Sequence, residues 1–99
     1  MESPRFILKQ ELPRLFAASR LTPRFDVNEF VERVYRRRNK SSHGGSRLEH
    51  EPIEAMVNDV LLLSGIYLLI ECAYLGLDSC LALTKFQNAM GRPLPLRAA

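Results

Sequence analysis

The most regular alternation of apolar and polar positions lies between residues 26 and 38. Apolar side chains recur there at the three- and four-residue spacing that places them on one face of an α-helix. These residues are Val27, Phe30, Val31, Val34 and Tyr35. Charged side chains fill the opposite face, and the cations of the last turn suit the negative end of the helix dipole. The pattern predicts an amphipathic helix over residues 26–38.

The start of this helix carries its own signals. Asp26 precedes Glu29 by three residues, as in a capping box in which Asp replaces the usual Ser or Thr. Phe25 before the cap and Phe30 after it have the spacing of a hydrophobic staple. We therefore expect the chain to enter the helix at Asp26.

A longer apolar region follows and has a different pattern. A helical stripe begins at Ile53, and residues 60–70 are apolar all round except for Ser64–Gly65. A helix without a polar face is buried in a larger body or lies in lipid. The segment Val60–Leu77 carries one charge and is close to the shortest stretch that spans a bilayer. We predict one long, highly apolar helix over about residues 52–77, with burial against protein favoured over a membrane span.

Glu71 is the one ionisable residue inside that apolar segment. An isolated buried charge is very costly, so the carboxylate must be paired, neutralised or exposed to water. An arginine partner, from this chain or from another subunit, is the favoured interpretation. Exposure to solvent and a proton-handling role are the alternatives.

Helix-capping residues, prolines and a glycine predict the other elements. Ser3-Pro4 is typical of a helix start, and Pro13 is expected to end or kink that first helix. Asp78 can cap a last helix that ends at Gly91. The fold class that follows is all-α, a small bundle of three to four helices with one long, highly apolar helix.

Four segments describe the predicted organisation. Residues 1–38 form an N-terminal helical part that includes the amphipathic helix, and residues 39–47 form a flexible Gly/Ser linker. Residues 48–91 form a helical hairpin, and residues 92–99 form a Pro-rich extended tail. Whether Gly44-Gly45 is a natural linker or an engineered joint stays open.

Composition narrows the class of protein. The 99 residues allow one small domain, and 46% apolar with 25% charged residues excludes a disordered chain. The net charge of +3 is too small to require a polyanionic partner. The stretch 12–25 has three arginines and no acid, a pattern typical of mitochondrial import. We expect an intracellular protein, with mitochondrion and cytoplasm as the alternatives.

A basic run at the end of the amphipathic helix is the most charged part of the chain. A solvated helix end is its ordinary interpretation, and phosphate binding is the functional one. The candidate phosphate contacts are Arg33, Arg36, Arg37, Arg38 and Lys40.

No group of residues in the sequence has the spacing of a catalytic or metal site. His43-Gly44-Gly45 resembles an oxyanion loop, but the Gly-x-Ser-x-Gly nucleophile turn that such enzymes require is missing. The spacing of His43, His50, Cys72 and Cys80 fits no zinc arrangement. We predict a protein that is not an enzyme and has no cofactor, metal or small-molecule substrate.

The long apolar helix supports the leading functional hypothesis. A chain this short has too little surface of its own to cover such a helix, and large exposed apolar patches mark interfaces. The predicted interface consists of Val57, Val60, Leu61, Leu63, Ile66, Leu68, Leu69 and Ile70, with Phe30 and Val34.

We therefore expect a non-catalytic accessory or assembly subunit whose partners are other protein subunits. It would sit in a hetero-complex, or form a homo-oligomer if it has no other partner. A nucleic-acid-binding or ribosome-type module that uses the basic run is the alternative. A membrane-seated subunit of an organellar complex is a weaker one.

Overall fold

The computed structural model describes residues 3–42 and 52–99, with the backbone alone for residues 40–42. Within these residues the chain forms four helices and two short strands. They are α1 (Pro4–Ala18), β1 (Leu21–Pro23), α2 (Val27–Ser42), α3 (Ile53–Leu75), α4 (Ser79–Met90) and β2 (Leu96–Ala98). The predicted all-α class, with one long apolar helix, is confirmed.

Helix α1 begins as predicted but does not break at Pro13. The Ser3 hydroxyl accepts a hydrogen bond from the Phe6 amide at 3.2 Å, and Pro4 occupies the first turn. The helix continues through Pro13 to Ala18. Leu12 and Phe16, on either side of the proline, are both buried in the core, so packing holds the helix together across the missing amide.

Helix α2 has the predicted start and a later end. The Glu29 amide donates to Asp26 Oδ1 at 3.1 Å, and the rings of Phe25 and Phe30 meet edge to face at 5.5 Å between centroids. The helix continues to Ser42, beyond the predicted end at residue 38, because no glycine or proline interrupts residues 39–42. The remainder of the predicted linker, with Gly44-Gly45, lies outside the described residues.

Helices α3 and α4 form the second half of the molecule. Helix α3 ends at Leu75, two residues earlier than predicted, because Gly76 adopts the left-handed conformation at φ 72° and its amide bonds to the Cys72 carbonyl. Helix α4 has the predicted caps: Asp78 Oδ1 accepts from the Leu81 amide at 3.0 Å, and Gly91 is left-handed at φ 73°.

The extended tail pairs with a strand that the sequence did not reveal. Strands β1 and β2 run antiparallel, with Leu21 opposite Ala98 and Pro23 opposite Leu96. Leu94, just before β2, packs on Gly65 of α3, where an added Cβ would lie 2.5 Å from Leu94 Cδ1. A small residue at position 65 therefore lets the tail approach the long helix.

One apolar core joins the two halves. Helix α1 packs along α2, and α3 packs along α4. The core residues are Leu12, Phe16, Leu21, Phe30, Val31, Leu62, Ile66, Leu69, Leu83, Leu94 and Leu96. Only one side of α3 contributes to this list, which leaves its other side facing outward.

Candidate functional site

The outward side of α3 is an uncovered apolar stripe, which we call the outer seam. Its residues repeat at spacings of three and four along the helix. They are Ile53, Met56, Val60, Leu63, Tyr67, Ile70 and Tyr74. Met56 and Leu63 are half-buried, and the other five are exposed, with Ile53 at 77%, Tyr67 at 70% and Tyr74 at 88%. So many large exposed apolar side chains on one helix face are typical of an interaction surface.

Helix α3 is also long and apolar enough to cross a membrane, and it is the one such helix among the described residues. Of its most apolar window, 28% is buried within the chain. Length and composition alone are weak support for a membrane span, since core helices of soluble proteins share them. The low buried fraction separates α3 from a typical core helix and agrees with an exposed seam.

The structure divides the predicted interface residues into three groups. Phe30 on α2 and Ile66 and Leu69 on α3 lie in the chain's own core instead of at its surface, because both helices turn these residues inward. Val34, Leu61, Leu63 and Leu68 are half-buried. Val57, Val60 and Ile70 are exposed.

Four seam residues were absent from the predicted interface, and one of them, Met56, is half-buried. Ile53, Tyr67 and Tyr74 are among the most exposed apolar side chains of the described residues. Their sequence signal was available, since they lie at multiples of seven residues from one another and also from Val60. The segment is apolar all round, so this repeat could not be distinguished until the core-facing residues were known.

Glu71 lies beside the outer seam and is exposed. Within the described residues no hydrogen bond or ion pair reaches its carboxylate. An arginine partner from the described part of this chain was therefore a wrong expectation, and the alternative of solvent exposure is confirmed for the isolated chain. An arginine from another subunit stays a prediction.

The buried acid of α3 is Asp59, on the core side of the helix. Arg33 donates to both carboxylate oxygens through Nε at 3.1 Å and Nη2 at 3.2 Å, and Arg37 donates to Oδ2 at 2.7 Å. This cluster links α2 to α3, and we call it the Asp59 clamp. Asp59 lies 26 and 22 residues from Arg33 and Arg37, so no local pattern in the sequence predicts the clamp.

The clamp changes the acidity of its carboxyl group. Burial alone raises the pKa of Asp59, but the hydrogen bonds from Arg33 and Arg37 outweigh it, so the pKa lies below its ordinary value. Asp59 is therefore ionised at neutral pH and neutralises part of the basic run.

The predicted phosphate contacts therefore fall into two groups, those held by Asp59 and those exposed to solvent. Arg33 and Arg37 are held by Asp59, whereas Arg36 and Arg38 are exposed. The Arg38 guanidinium lies 5.9 Å from the centre of the Tyr35 ring, a cation–π contact. The Lys40 side chain lies outside the described residues. The basic run is therefore partly a structural element of the α2–α3 contact.

A cavity of about 350 Å³ lies beside the clamp, between α3 and the tail. Arg33, Asn58, Asp59 and Arg92 supply its polar lining. These groups bond to one another, since Arg92 Nη1 donates to Asn58 Oδ1 at 2.6 Å and Arg33 donates to Asp59. The arrangement explains how the tail is fixed to α3.

The His, Cys, Asp and Glu side chains of the described residues are dispersed. Within residues 3–42 and 52–99, no group of three or more His, Cys, Asp or Glu side chains is placed to hold a metal ion. Cys72 is buried and Cys80 is exposed, and neither forms a disulfide. His43 and His50 lie outside the described residues.

No protein-family model, curated protein or solved structure matches this chain. The geometry of α3 is therefore the basis for inferring the function.

Proposed function

We propose that this protein is a non-catalytic accessory or assembly subunit that binds a partner protein through the outer seam of α3. The observation that carries the proposal is the exposure of that seam. Tyr67 and Tyr74 stand out from the helix at 70% and 88% exposure, although each is large enough to anchor an interface.

The arrangement of α3 supports a docking role. Its inner side contributes Leu62, Ile66 and Leu69 to the core, so the helix is held rigidly by its own chain. A surface fixed in this way loses little conformational entropy when a partner binds, which favours affinity.

Nucleic-acid binding remains the alternative proposal. Its support is the exposed pair Arg36 and Arg38 at the end of α2. Because Arg33 and Arg37 are committed to Asp59, fewer cations face outward than the sequence suggested. This proposal requires affinity that falls steeply with salt.

A membrane-seated subunit is the weaker alternative. It is supported by the length and composition of α3. The ion pairs of Asp59 on the core side of the same helix oppose it, since charged groups are costly at bilayer depth.

The test is purification of the tagged full chain from the cells that naturally express it, with nuclease treatment. We compare wild type with a seam variant, Tyr67→Lys/Tyr74→Lys, and with a control, Ile7→Lys/Met90→Lys. The control replaces exposed apolar residues outside α3 by the same charge. Wild type and control are expected to retain a stoichiometric set of proteins that the seam variant loses.

Two results contradict the proposal. Retention of the same proteins by the seam variant would show that the seam is not the docking surface. Loss of all partners on nuclease treatment would show that they are held through nucleic acid, and would favour nucleic-acid binding by the arginines of α2.

A further inference from the structure

The outer seam has the repeat of a coiled coil. With Ile53 as position a of a heptad, Val60, Tyr67 and Tyr74 fall at a, and Met56, Leu63 and Ile70 fall at d. All seven positions are apolar over three heptads, without interruption. A narrow a/d stripe fits one facing helix, whereas a broad apolar face fits a layered core.

The two flanks of this seam differ. The g flank contains Asp59 and Ile66, which are buried in the chain's own packing, and the small exposed Ala73. The e flank is open and contains Val57, Ser64 and Glu71, all exposed. Glu71 is thus the one exposed charge on the two flanks of the seam, since Asp59 is buried and paired with Arg33 and Arg37. The e positions are where coiled coils form salt bridges between helices.

Helix α3 of a second copy supplies no countercharge for Glu71. An antiparallel copy would set e against e, and a parallel copy would set e against g. Neither row holds a cation, and no Lys or Arg occurs anywhere in α3. A homodimer through the seam would therefore leave Glu71 unpaired beside an apolar interface, which is unfavourable.

We propose that the outer seam pairs with one helix of a different protein, an apolar heptad helix that carries Lys or Arg opposite Glu71. The inference rests on the proposed docking function and specifies its partner by fold and charge. The exposed apolar residues are enough for such a pairing. Two exposed tyrosines and three exposed aliphatic side chains supply about half of the area that each partner buries in a standard interface.

The experiment uses the full chain and two synthetic helical peptides. Each peptide spans four heptads with Ile at a and Leu at d; one has Lys at every e and g position, and the other has Glu. Like charges on these flanks keep each peptide from pairing with itself. Binding is measured by isothermal titration calorimetry at about 0.15 M NaCl.

Wild type is expected to bind the Lys peptide at least about tenfold more tightly than the Glu peptide. The net charge of +3 attracts the Glu peptide non-specifically, so a preference for Lys reports the local site. Glu71→Lys should reverse the preference. Glu54→Lys, which makes the same charge change on α3 at an exposed position away from the seam, should keep it.

Folding is checked by the urea midpoint of each variant, which should be unchanged because Glu71 is exposed.

Equal affinity for the two peptides, or an unchanged preference in Glu71→Lys, overturns the inference. A saturable dimer of wild type that Tyr67→Lys/Tyr74→Lys abolishes would make a second copy the occupant, and seam-dependent binding to phosphatidylcholine vesicles would make lipid the occupant. Either result also overturns it.

Failure of this inference is distinguishable from failure of the proposed function. If proteins from native cells are lost in the seam variant while the peptides show no charge preference, the docking function stands and the partner assignment falls. If no protein depends on the seam in native cells, the docking function itself falls.

Discussion

Arg20 adopts a backbone conformation that side chains other than glycine disfavour. It has φ 58°, directly after the end of α1, and it is the one non-glycine residue with positive φ among those described. Its amide bonds to the Ala17 carbonyl, and its carbonyl accepts from the Ala99 amide at 2.9 Å. The position joins the end of α1 to the end of the tail, which explains why the conformation is held.

Replacing this residue by glycine should stabilise the protein. The left-handed conformation costs about 1–2 kcal/mol for a residue with a Cβ, and glycine loses part of that gain through its greater freedom when unfolded. We expect Arg20→Gly to raise the free energy of unfolding by about 0.5–1 kcal/mol. The measurement is the midpoint of urea unfolding at an unchanged slope.

The matched control is Arg24→Gly. Arg24 is also exposed and is bonded to the tail through its backbone amide, but its φ is not positive. This variant should lose about 0.5–1 kcal/mol. Equal effects of the two substitutions would show that Arg20 is not strained.

Asp59 is the residue whose loss should most weaken the contact of α2 with α3. In Asp59→Asn the charge-assisted hydrogen bonds from Arg33 and Arg37 are weakened, and two half-buried cations lose their countercharge. We expect the free energy of unfolding to fall by about 2–3 kcal/mol. Glu32→Gln, which weakens ion pairs with Arg5 and Lys9 that are more exposed than those of Asp59, should cost less when measured in the same urea titration.

Acid should remove the contribution of the same carboxylate. The usual pKa of Asp59 is 3.8, and the folded protein lowers it, so the unfolded chain binds protons first as the pH falls. The stabilisation is complete above about pH 4 and is lost as the pH falls through the folded pKa. Asp59→Asn should therefore lose less stability between pH 5 and 3 than wild type; parallel pH curves for the two proteins would contradict this.

At the scale of one element, α3 has a buried and an exposed side in adjacent residues. Leu69 is fully buried, whereas Ile70 is 48% exposed on the outer seam. We expect Leu69→Ala to cost about 2–5 kcal/mol of unfolding free energy and Ile70→Ala about 1 kcal/mol or less. Thermal and urea unfolding measure both. Similar costs for the two substitutions would mean that α3 is rotated about its axis relative to this structure.

The elements were predictable where the signal is local. Asp26, Asp78 and Gly91 each act within one turn of their own helix, and each was assigned from the sequence with the role that the structure shows. Pro13 does not end α1, which was one of the two outcomes predicted for it, because buried neighbours on both sides outweigh its local preference.

Features that depend on distant residues were not predictable. Strands β1 and β2 have three residues each and pair across most of the chain, so neither shows a periodic pattern of its own. Asp59 and its arginines are brought together only by packing of α2 on α3. The same reason explains the candidate site: the seam could be separated from the core only once the orientation of α3 was known.

At the scale of the whole molecule, the chain is a thin slab. Its extents are 42 × 38 × 22 Å, and its radius of gyration of 14.4 Å exceeds the value of about 12.6 Å expected for a compact chain of this length. The smallest extent corresponds to about two helix diameters. A body only two helices thick cannot enclose α3, which is why one side of that helix faces outward.

This shape predicts how the isolated chain behaves when concentrated. Weak self-association through the apolar seam should not saturate at a dimer, since Glu71 disfavours face-to-face pairing of two copies. It should strengthen with added salt, because salt screens the net charge of +3 and does not weaken apolar contacts. Association through the arginines would instead weaken with salt. Sedimentation velocity between about 0.05 and 0.5 M NaCl should therefore show the average mass rising for wild type. Tyr67→Lys/Tyr74→Lys should remain monomeric throughout, with an unchanged urea midpoint, since both side chains are mostly exposed. A mass that falls with salt would place the contacts on the charged surface instead of on α3.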